Sequence, residues 1–177
     1  QMCIRDRLVT ILLNREVSKM KYNTQNAKIA SITEKTLIVG IDVGSETHYA
    51  RAFNWRNYEY SKKPFAFSND EAGFSSFKDW MDDIAEKHGM KVVIPGMEPT
   101  GHYWFALAAW MISNGISVVQ VNPYAVKQSK EIENNSQLKD DRKDPKIIAN
   151  LVKDGNYGMP YLPEDIYADM RRLSMFR

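Results

Sequence analysis

The chain has 177 residues, of which 44% are hydrophobic and 26% are charged, values typical of one soluble domain with a core. No apolar run approaches the ~18 residues that a membrane span requires, and residues 8–13 are too short a run for a signal peptide, so we expect a cytoplasmic protein without a membrane partner. The single cysteine, Cys3, excludes an internal disulfide, and the spacing of His48, His88 and His102 does not fit a zinc site.

Charge is distributed unevenly along the chain. Residues 1–36 carry seven Lys or Arg and three Asp or Glu, although the net charge of the whole chain is only +2. This segment has no sustained hydrophobic period, so we expect residues 1–35 to form a disordered basic arm. Met20 is a candidate for the true start, in which case residues 1–19 are not native sequence.

The first predicted elements form a β-meander followed by a helix. The apolar run TLIVGIDVG, which begins at Thr36, is typical of a strand buried on both faces. The stretches THYARAFNW and YEYSKKPFAF favour two further strands that return antiparallel. Ser68 or Asn69 then caps a helix that ends near Gly89, and KVVIPGME predicts a fourth strand.

In the second half, helices alternate with strands. HYWFALAAWMISNG predicts an apolar helix, ISVVQV predicts a fifth strand, and Asn122 with Pro123 begins a helix that runs to about Lys130. Residues 131–139 are polar and are expected to be mobile. The helix that contains IIANLV ends at Gly155.

The order of these elements predicts the fold class and the domain limits. The order β-β-β-α-β-α-β-α is typical of an α/β, ribonuclease-H-like domain, with a mixed five-stranded sheet and helices on both faces, here over residues 36–155. Residues 156–177 are predicted to be a connector and the start of a helix that the chain end truncates, leading to a missing C-terminal domain.

Acidic residues stand at the ends of two strands that this fold makes neighbours. Asp42 interrupts the apolar run of strand one, where an unpaired charge would cost several kcal/mol, and Glu98 ends strand four. Each has a simpler interpretation, Asp42 as a loop cap and Glu98 as a solvated turn residue.

A second acidic pair precedes the last helix of the domain. Asp141 and Asp144 are three residues apart, so on a helix they share a face, provided that Pro145 lies in the first turn. Alone, the pair is equally explained as a charged helix start. Four converging carboxylates would repel one another unless divalent cations neutralise them, so the joint pattern predicts a site for two Mg²⁺ or Mn²⁺ ions and phosphodiester chemistry.

Three blocks of the sequence, GIDVGSETHYA, MEPTGHYW and KDDRKDPKIIANLV, resemble the signature blocks of the DEDD transposases of bacterial insertion sequences, the group that includes the Piv invertases and the bridge-RNA-guided recombinases. The likeness spans about residues 36–177. It implies a RuvC-like fold, bound Mg²⁺, cutting and rejoining of DNA under a guide RNA, and a catalytic, metal-binding tetrad of Asp42, Glu98, Asp141 and Asp144.

The sequence departs from the family pattern at three points. Asp140 stands where the family commonly has Thr, and Pro145 where Ala is usual, so either Asp140 or Asp141 is the third acid. The family's second domain, which supplies a nucleophilic serine, is absent from this sequence. The resemblance therefore implies that this N-terminal catalytic domain needs that serine domain for the full reaction, acts as a homo-oligomer, and is located at the bacterial nucleoid.

Basic residues around the acidic pair predict contacts with nucleic-acid phosphates, although a solvated mixed-charge surface explains them as well. They are Lys127, Lys130, Lys139, Arg142, Lys143 and Lys146. Tyr103, Trp104 and Trp110 are expected in the core, and Tyr124 is a weaker candidate for a base contact.

Two other functions stay open. One is a non-catalytic module that binds nucleic acid or dimerises. The other is an actin-like ATPase type of phosphate-binding domain, which predicts a second Gly-rich loop that this sequence lacks.

Overall fold

The computed structural model describes residues 25–61, 63–133 and 144–162. The strands are β1 (Thr36–Asp42), β2 (Thr47–Phe53), β3 (Phe65–Ser68), β4 (Val92–Met97), β5 (Val119–Val121) and β6 (Tyr157–Gly158). The helices are α1 (Gln25–Ser31), α2 (Glu71–Lys87), α3 (Trp104–Ser113), α4 (Pro123–Glu133) and α5 (Asp144–Lys153). None of these helices is long and apolar enough to cross a membrane.

One mixed sheet with the strand order β3-β2-β1-β4-β5-β6 forms the centre of the fold. β1 pairs antiparallel with β2 and parallel with β4, and β4 pairs parallel with β5. β1 lies inside the sheet, between β2 and β4. Its apolar residues are therefore buried on both faces, as its unbroken apolar run predicts.

Helices cover both faces of the sheet. On one face, Leu37, Val39 and Ile41 of β1 join the core cluster that includes residues of α2 and α3. On the other face, Ile38 packs with Ile147 and other buried residues of α5. This arrangement confirms the predicted α/β, ribonuclease-H-like class.

Two glycines allow α5 to lie unusually close to the sheet. Gly40 of β1 and Gly96 of β4 are partners in the parallel register. A Cβ atom on Gly40 would lie 1.8 Å from the carbonyl oxygen of Pro145, and a Cβ on Gly96 would lie 2.4 Å from Val152 Cγ2. Hence the first turn of α5 packs directly on the backbone of β1, and its last turn packs on β4.

The structure corrects the predicted elements in four places. Asp70, rather than Ser68 or Asn69, caps α2, because its side chain accepts the hydrogen bond from the Gly73 N–H. The sheet has six strands rather than five, because β6 pairs antiparallel with β5 where a connector was predicted. Residues 25–31 form a helix, so the expectation of a disordered arm through residue 35 is wrong for this part. Residues 131–133 lie within α4, where a mobile segment was predicted. Residues 1–24, 134–143 and 163–177 lie outside the described residues.

Candidate metal and nucleic-acid site

The sheet brings Asp42 and Glu98 to the same edge. Ile41 of β1 and Met97 of β4 form the last pair of the parallel register, and the two acids are the next residue on each strand path. Since neighbouring strands are about 4.8 Å apart, the two backbones are adjacent at this point. Both acids are partly buried.

Alternation along β1 determines the face on which Asp42 lies. Ile38 packs in the core on the α5 side, and the missing side chain of Gly40 faces Pro145 of α5. Because successive strand residues point to opposite faces, Asp42 lies on the same face as Gly40. The side chain of Asp42 is therefore directed to the layer that contains α5.

Asp144 approaches this point from the helix. It is the first residue of α5, and the next residue, Pro145, touches the backbone of β1 at Gly40. Pro145 occupies the first turn, as predicted, where its missing N–H leaves no helical hydrogen bond unmade. Three acids from three elements thus lie near one end of the β1–β4 pair.

A lysine from another helix pairs with Asp144. Lys130, in the last turn of α4, places its Nζ 2.5 Å from Asp144 Oδ2. Their side chains are 35% and 20% exposed, so the ion pair is only partly accessible to water. A cation therefore already contacts one of the predicted ligands.

The electrostatic environment of Glu98 links it to the same group of residues. Burial raises the pKa of the Glu98 carboxyl, and the negative charge of Asp144 adds to this rise. The positive charge of Lys130 and a side-chain hydrogen bond with Thr100 act in the opposite direction and lower the pKa of Glu98. Asp144 and Lys130 are thus close enough to Glu98 to affect the pKa of its carboxyl.

The donor chemistry suits a hard divalent cation, but the ligands are not assembled. Within the described parts of the chain, no three Asp, Glu, His or Cys side chains lie together closely enough to hold a metal ion. The three acids nevertheless offer only carboxylate oxygens, which Mg²⁺ and Mn²⁺ prefer, and an ammonium group already neutralises one of them. Asp140 and Asp141, the candidates for the remaining ligand, lie outside the described residues.

Comparison with known proteins identifies the family. A family model of DEDD transposases of the IS110 type, described as a transposase, matches residues 39–177. The chain belongs to this transposase family. The matched range contains all four acids of the predicted tetrad.

Solved structures of low sequence identity resemble the transposase chain. RuvC of Thermus thermophilus in complex with a Holliday junction substrate has 11% identity and a TM-score of 0.41, over 64% of this chain and 90% of that chain. Another Thermus thermophilus RuvC structure has 12% identity and a TM-score of 0.41, over 70% and 99%. An exopolyphosphatase from Cytophaga hutchinsonii has 12% identity and a TM-score of 0.33, over 52% and 36%. No curated protein matches the chain.

A histidine that the sequence did not single out supports the loop after Asp42 in this transposase. His48 of β2 is fully buried and accepts a hydrogen bond at Nδ1 from the Gly44 backbone N–H, at 3.2 Å. Its ring packs against Phe67 and Phe74, with centroid distances of 5.1 and 6.1 Å. Burial lowers the pKa of His48, and a side-chain interaction with Asn69 opposes that shift. The only sequence signal was a histidine among the apolar positions of a strand.

The predicted basic residues have different environments in the transposase. Lys130 is paired with Asp144, whereas Lys127 on α4 and Lys146 on α5 are exposed. Lys139, Arg142 and Lys143 lie outside the described residues.

The aromatic residues follow the predictions with one exception. Trp104 is buried and Trp110 packs partly buried against the core, but Tyr103 is 38% exposed, so its predicted core position is wrong. Tyr103 precedes the helical stripe, at the N-cap of α3. Tyr124 is 67% exposed at the start of α4.

A groove adjoins the acidic site of the transposase. It has a volume of about 790 Å³ and lies between α1, the end of β5, the start of α4 and β6. Its lining includes Lys28, Gln120, Asn122 and Tyr157, and it reaches Pro99, the residue after Glu98. The groove therefore extends to the edge where the acids lie.

Proposed function

We propose that this transposase domain cleaves and transfers DNA strands by chemistry that depends on divalent metal ions. Asp42, Glu98 and Asp144 are the proposed ligands and catalytic acids among the described residues, and Asp141 or Asp140 supplies the fourth. One observation carries the proposal. Asp42 at the end of β1, Glu98 after β4 and Asp144 at the start of α5 approach one another on the α5 side of the sheet, next to the ammonium group of Lys130.

Each acid is held in a way that suits a ligand. Asp42 is fixed by the central strand, and the turn after Glu98 is closed by the hydrogen bond from Thr100 N to the Glu98 carbonyl, at 2.8 Å. Asp144 is fixed by the contact of Pro145 with β1. When bound, two Mg²⁺ or Mn²⁺ ions would activate the attacking oxygen and stabilise the leaving oxygen of a phosphodiester.

Other residues of the domain would bind the nucleic acid. Lys127 and Lys146 are exposed on the two helices that flank the acids, where their ammonium groups can contact backbone phosphates. The groove that reaches Pro99 offers a path for a strand that leaves the site. Exposed Tyr124 can stack on a base near this path.

The family resemblance supports further parts of the proposal. We infer that the reaction uses a guide RNA, a second domain of the same protein with a nucleophilic serine, and a homo-oligomer. The domain limits of 36–155 and 156–177 and a cytoplasmic location at the nucleoid belong to the same proposal.

Calorimetric titration with Mn²⁺ and Mg²⁺ tests the metal site. Asp42→Ala and Asp144→Ala should abolish or strongly weaken binding, because each removes a ligand. Asp82→Ala is the matched control, since Asp82 is an exposed carboxylate on α2 whose partner is Lys78. Binding that survives in both site variants would favour a passive nucleic-acid module instead. Strand nicking of DNA in the presence of Mn²⁺ by the domain together with its serine domain, lost in the same two variants, tests the chemistry.

A further inference from the structure

Lys130 and Asp144 join two helices at the candidate metal site. Lys130 lies in the last turn of α4 and Asp144 begins α5, so the pair links elements that are separated by residues 134–143. Lys130 Nζ donates a hydrogen bond to Asp144 Oδ2, at 2.5 Å, and the opposite charges of the two groups strengthen it. This bond orients the Asp144 carboxylate toward the end of α4.

The positive charge of Lys130 also acts on Glu98. A single ammonium group therefore contacts one carboxylate and lowers the pKa of another nearby. Asp144 and Glu98 are two of the residues that would hold a divalent ion, so the ammonium lies beside the same carboxylates. An ammonium and a divalent ion within ligand distance of one carboxylate repel each other strongly, so both are not expected there together.

We infer that Lys130 is a positioning residue. Its ammonium group holds the Asp144 carboxylate as a divalent ion would, and the ammonium leaves the carboxylate when the ion binds. This inference rests on the proposed metal site, and it adds a way in which metal binding at that site is regulated. The long, flexible lysine stem allows the ammonium to leave Asp144 without movement of α4. The displaced ammonium lies beside the site, where it can contact a phosphate oxygen of the bound strand.

Metal affinity of the full chain tests this inference. In Mn²⁺ calorimetry at about 0.15 M salt, Lys130→Met should bind about two- to fivefold more tightly than the unaltered protein, because the ion no longer competes with an ion pair of this strength. Lys87→Met is the control, since Lys87 is an exposed lysine in the last turn of α2 that has no part in the proposed site, and its field is screened by salt. It should change the affinity by less than about 1.5-fold. Lys130→Gln removes the same charge with a different side chain and should behave like Lys130→Met. Agreement between the two variants excludes partial unfolding of one of them as the cause.

Chemical labelling measures the displacement itself. Acylation of lysine amines, read by mass spectrometry, should increase at Lys130 and stay constant at Lys87 when Mn²⁺ is added. Unchanged labelling of Lys130 would overturn the displacement even if Lys130→Met tightened binding, because the lysine would then act only through its field. Equal affinities of Lys130→Met and the unaltered protein would overturn the inference alone. Absence of Mn²⁺ binding by the unaltered protein would overturn both the inference and the proposed metal site.

Discussion

A substitution at Gly40 tests whether the close packing of α5 on the sheet also controls the position of Asp144. It has no functional group, but its backbone contacts the first turn of α5 next to Asp144. In Gly40→Ala, the new methyl group would lie 1.8 Å from the Pro145 carbonyl oxygen. That oxygen belongs to the backbone, so no side-chain rotation relieves the overlap.

The size of the effect follows from this distance. Since real Cβ contacts essentially never fall below 3.0 Å, the start of α5 must move away from β1 by at least about 1.2 Å. Overpacking of this kind costs about 1–3 kcal/mol of unfolding free energy. A domain of this size loses about 2–4 °C in Tm for each kcal/mol. Because Asp144 moves with the helix, we also expect weaker Mn²⁺ binding, and misplacement of a reacting group by about 1 Å costs up to about 100-fold in rate.

Denaturant unfolding and Mn²⁺ calorimetry of the same samples measure the two effects. Gly158→Ala is the control, because a Cβ on Gly158 meets nothing within 4 Å and should leave both quantities unchanged. Gly96→Ala should reduce stability by less than Gly40→Ala does, since its overlap is with the Val152 side chain at the far end of α5. If Gly40→Ala unfolded and bound Mn²⁺ like the unaltered protein, the close contact between α5 and β1 would be refuted.

Two further predictions concern the loop and the strands near the site. The folded-state pKa of His48 is below its ordinary value of 6.5, so its neutral form contributes stability that is full above pH 6.5 and decreases as the pH falls below it. His48→Gln should flatten the pH dependence of unfolding free energy below pH 6.5, and an unchanged slope would contradict this role. Arg51 forms a two-bonded fork with Glu59, with Nε–Oε1 and Nη2–Oε2 distances of 2.7 and 2.6 Å. Arg51→Lys should therefore lose about 0.5–1 kcal/mol in denaturant unfolding, because an ammonium cannot reproduce the fork; stability equal to that of the unaltered protein would show that the fork contributes nothing.

The sequence predicts the central strands well because their patterns are local. The apolar run of β1 and the shorter one of β4 indicate burial on both faces, and the parallel pairing of the two strands follows from the predicted fold, in which the chain passes through β2, β3 and α2 between them. The order of the strands then makes the acids at their ends neighbours. For β1 and β4, the burial that the sequence pattern predicts is the burial that the sheet provides.

β6 and α1 have no comparable signal. β6 has only two residues, Tyr157 and Gly158, and exists because β5 offers an unpaired edge. α1 contains no buried residues, and it is held by polar contacts, such as the bond from Gln25 Nε2 to the Asp154 carbonyl at 2.8 Å. The contacts of α1 are made with partners more than 100 residues away, which periodicity cannot reveal.

The same limit applies to the site. The sequence proposes the acids from their positions at strand and helix ends, and their role stays a prediction, but it could not propose the ion pair between Lys130 and Asp144, because that pair depends on where the end of α4 meets the start of α5. The sequence suggested Lys130 as a contact for phosphate. The structure gives this lysine an acidic partner within the site.

The distance between α5 and the sheet connects these observations. Ligands that come from two strands and one helix can share an ion only if the helix lies close to the strands, and ordinary side chains between them would hold the backbones about 10 Å apart. Gly40 and Gly96 remove those side chains on the two strands that lead to the acids. The proposed site therefore depends on the glycines as much as on the carboxylates, because a methyl group at residue 40 would alter the geometry of Asp144 while every acidic group stayed in the sequence.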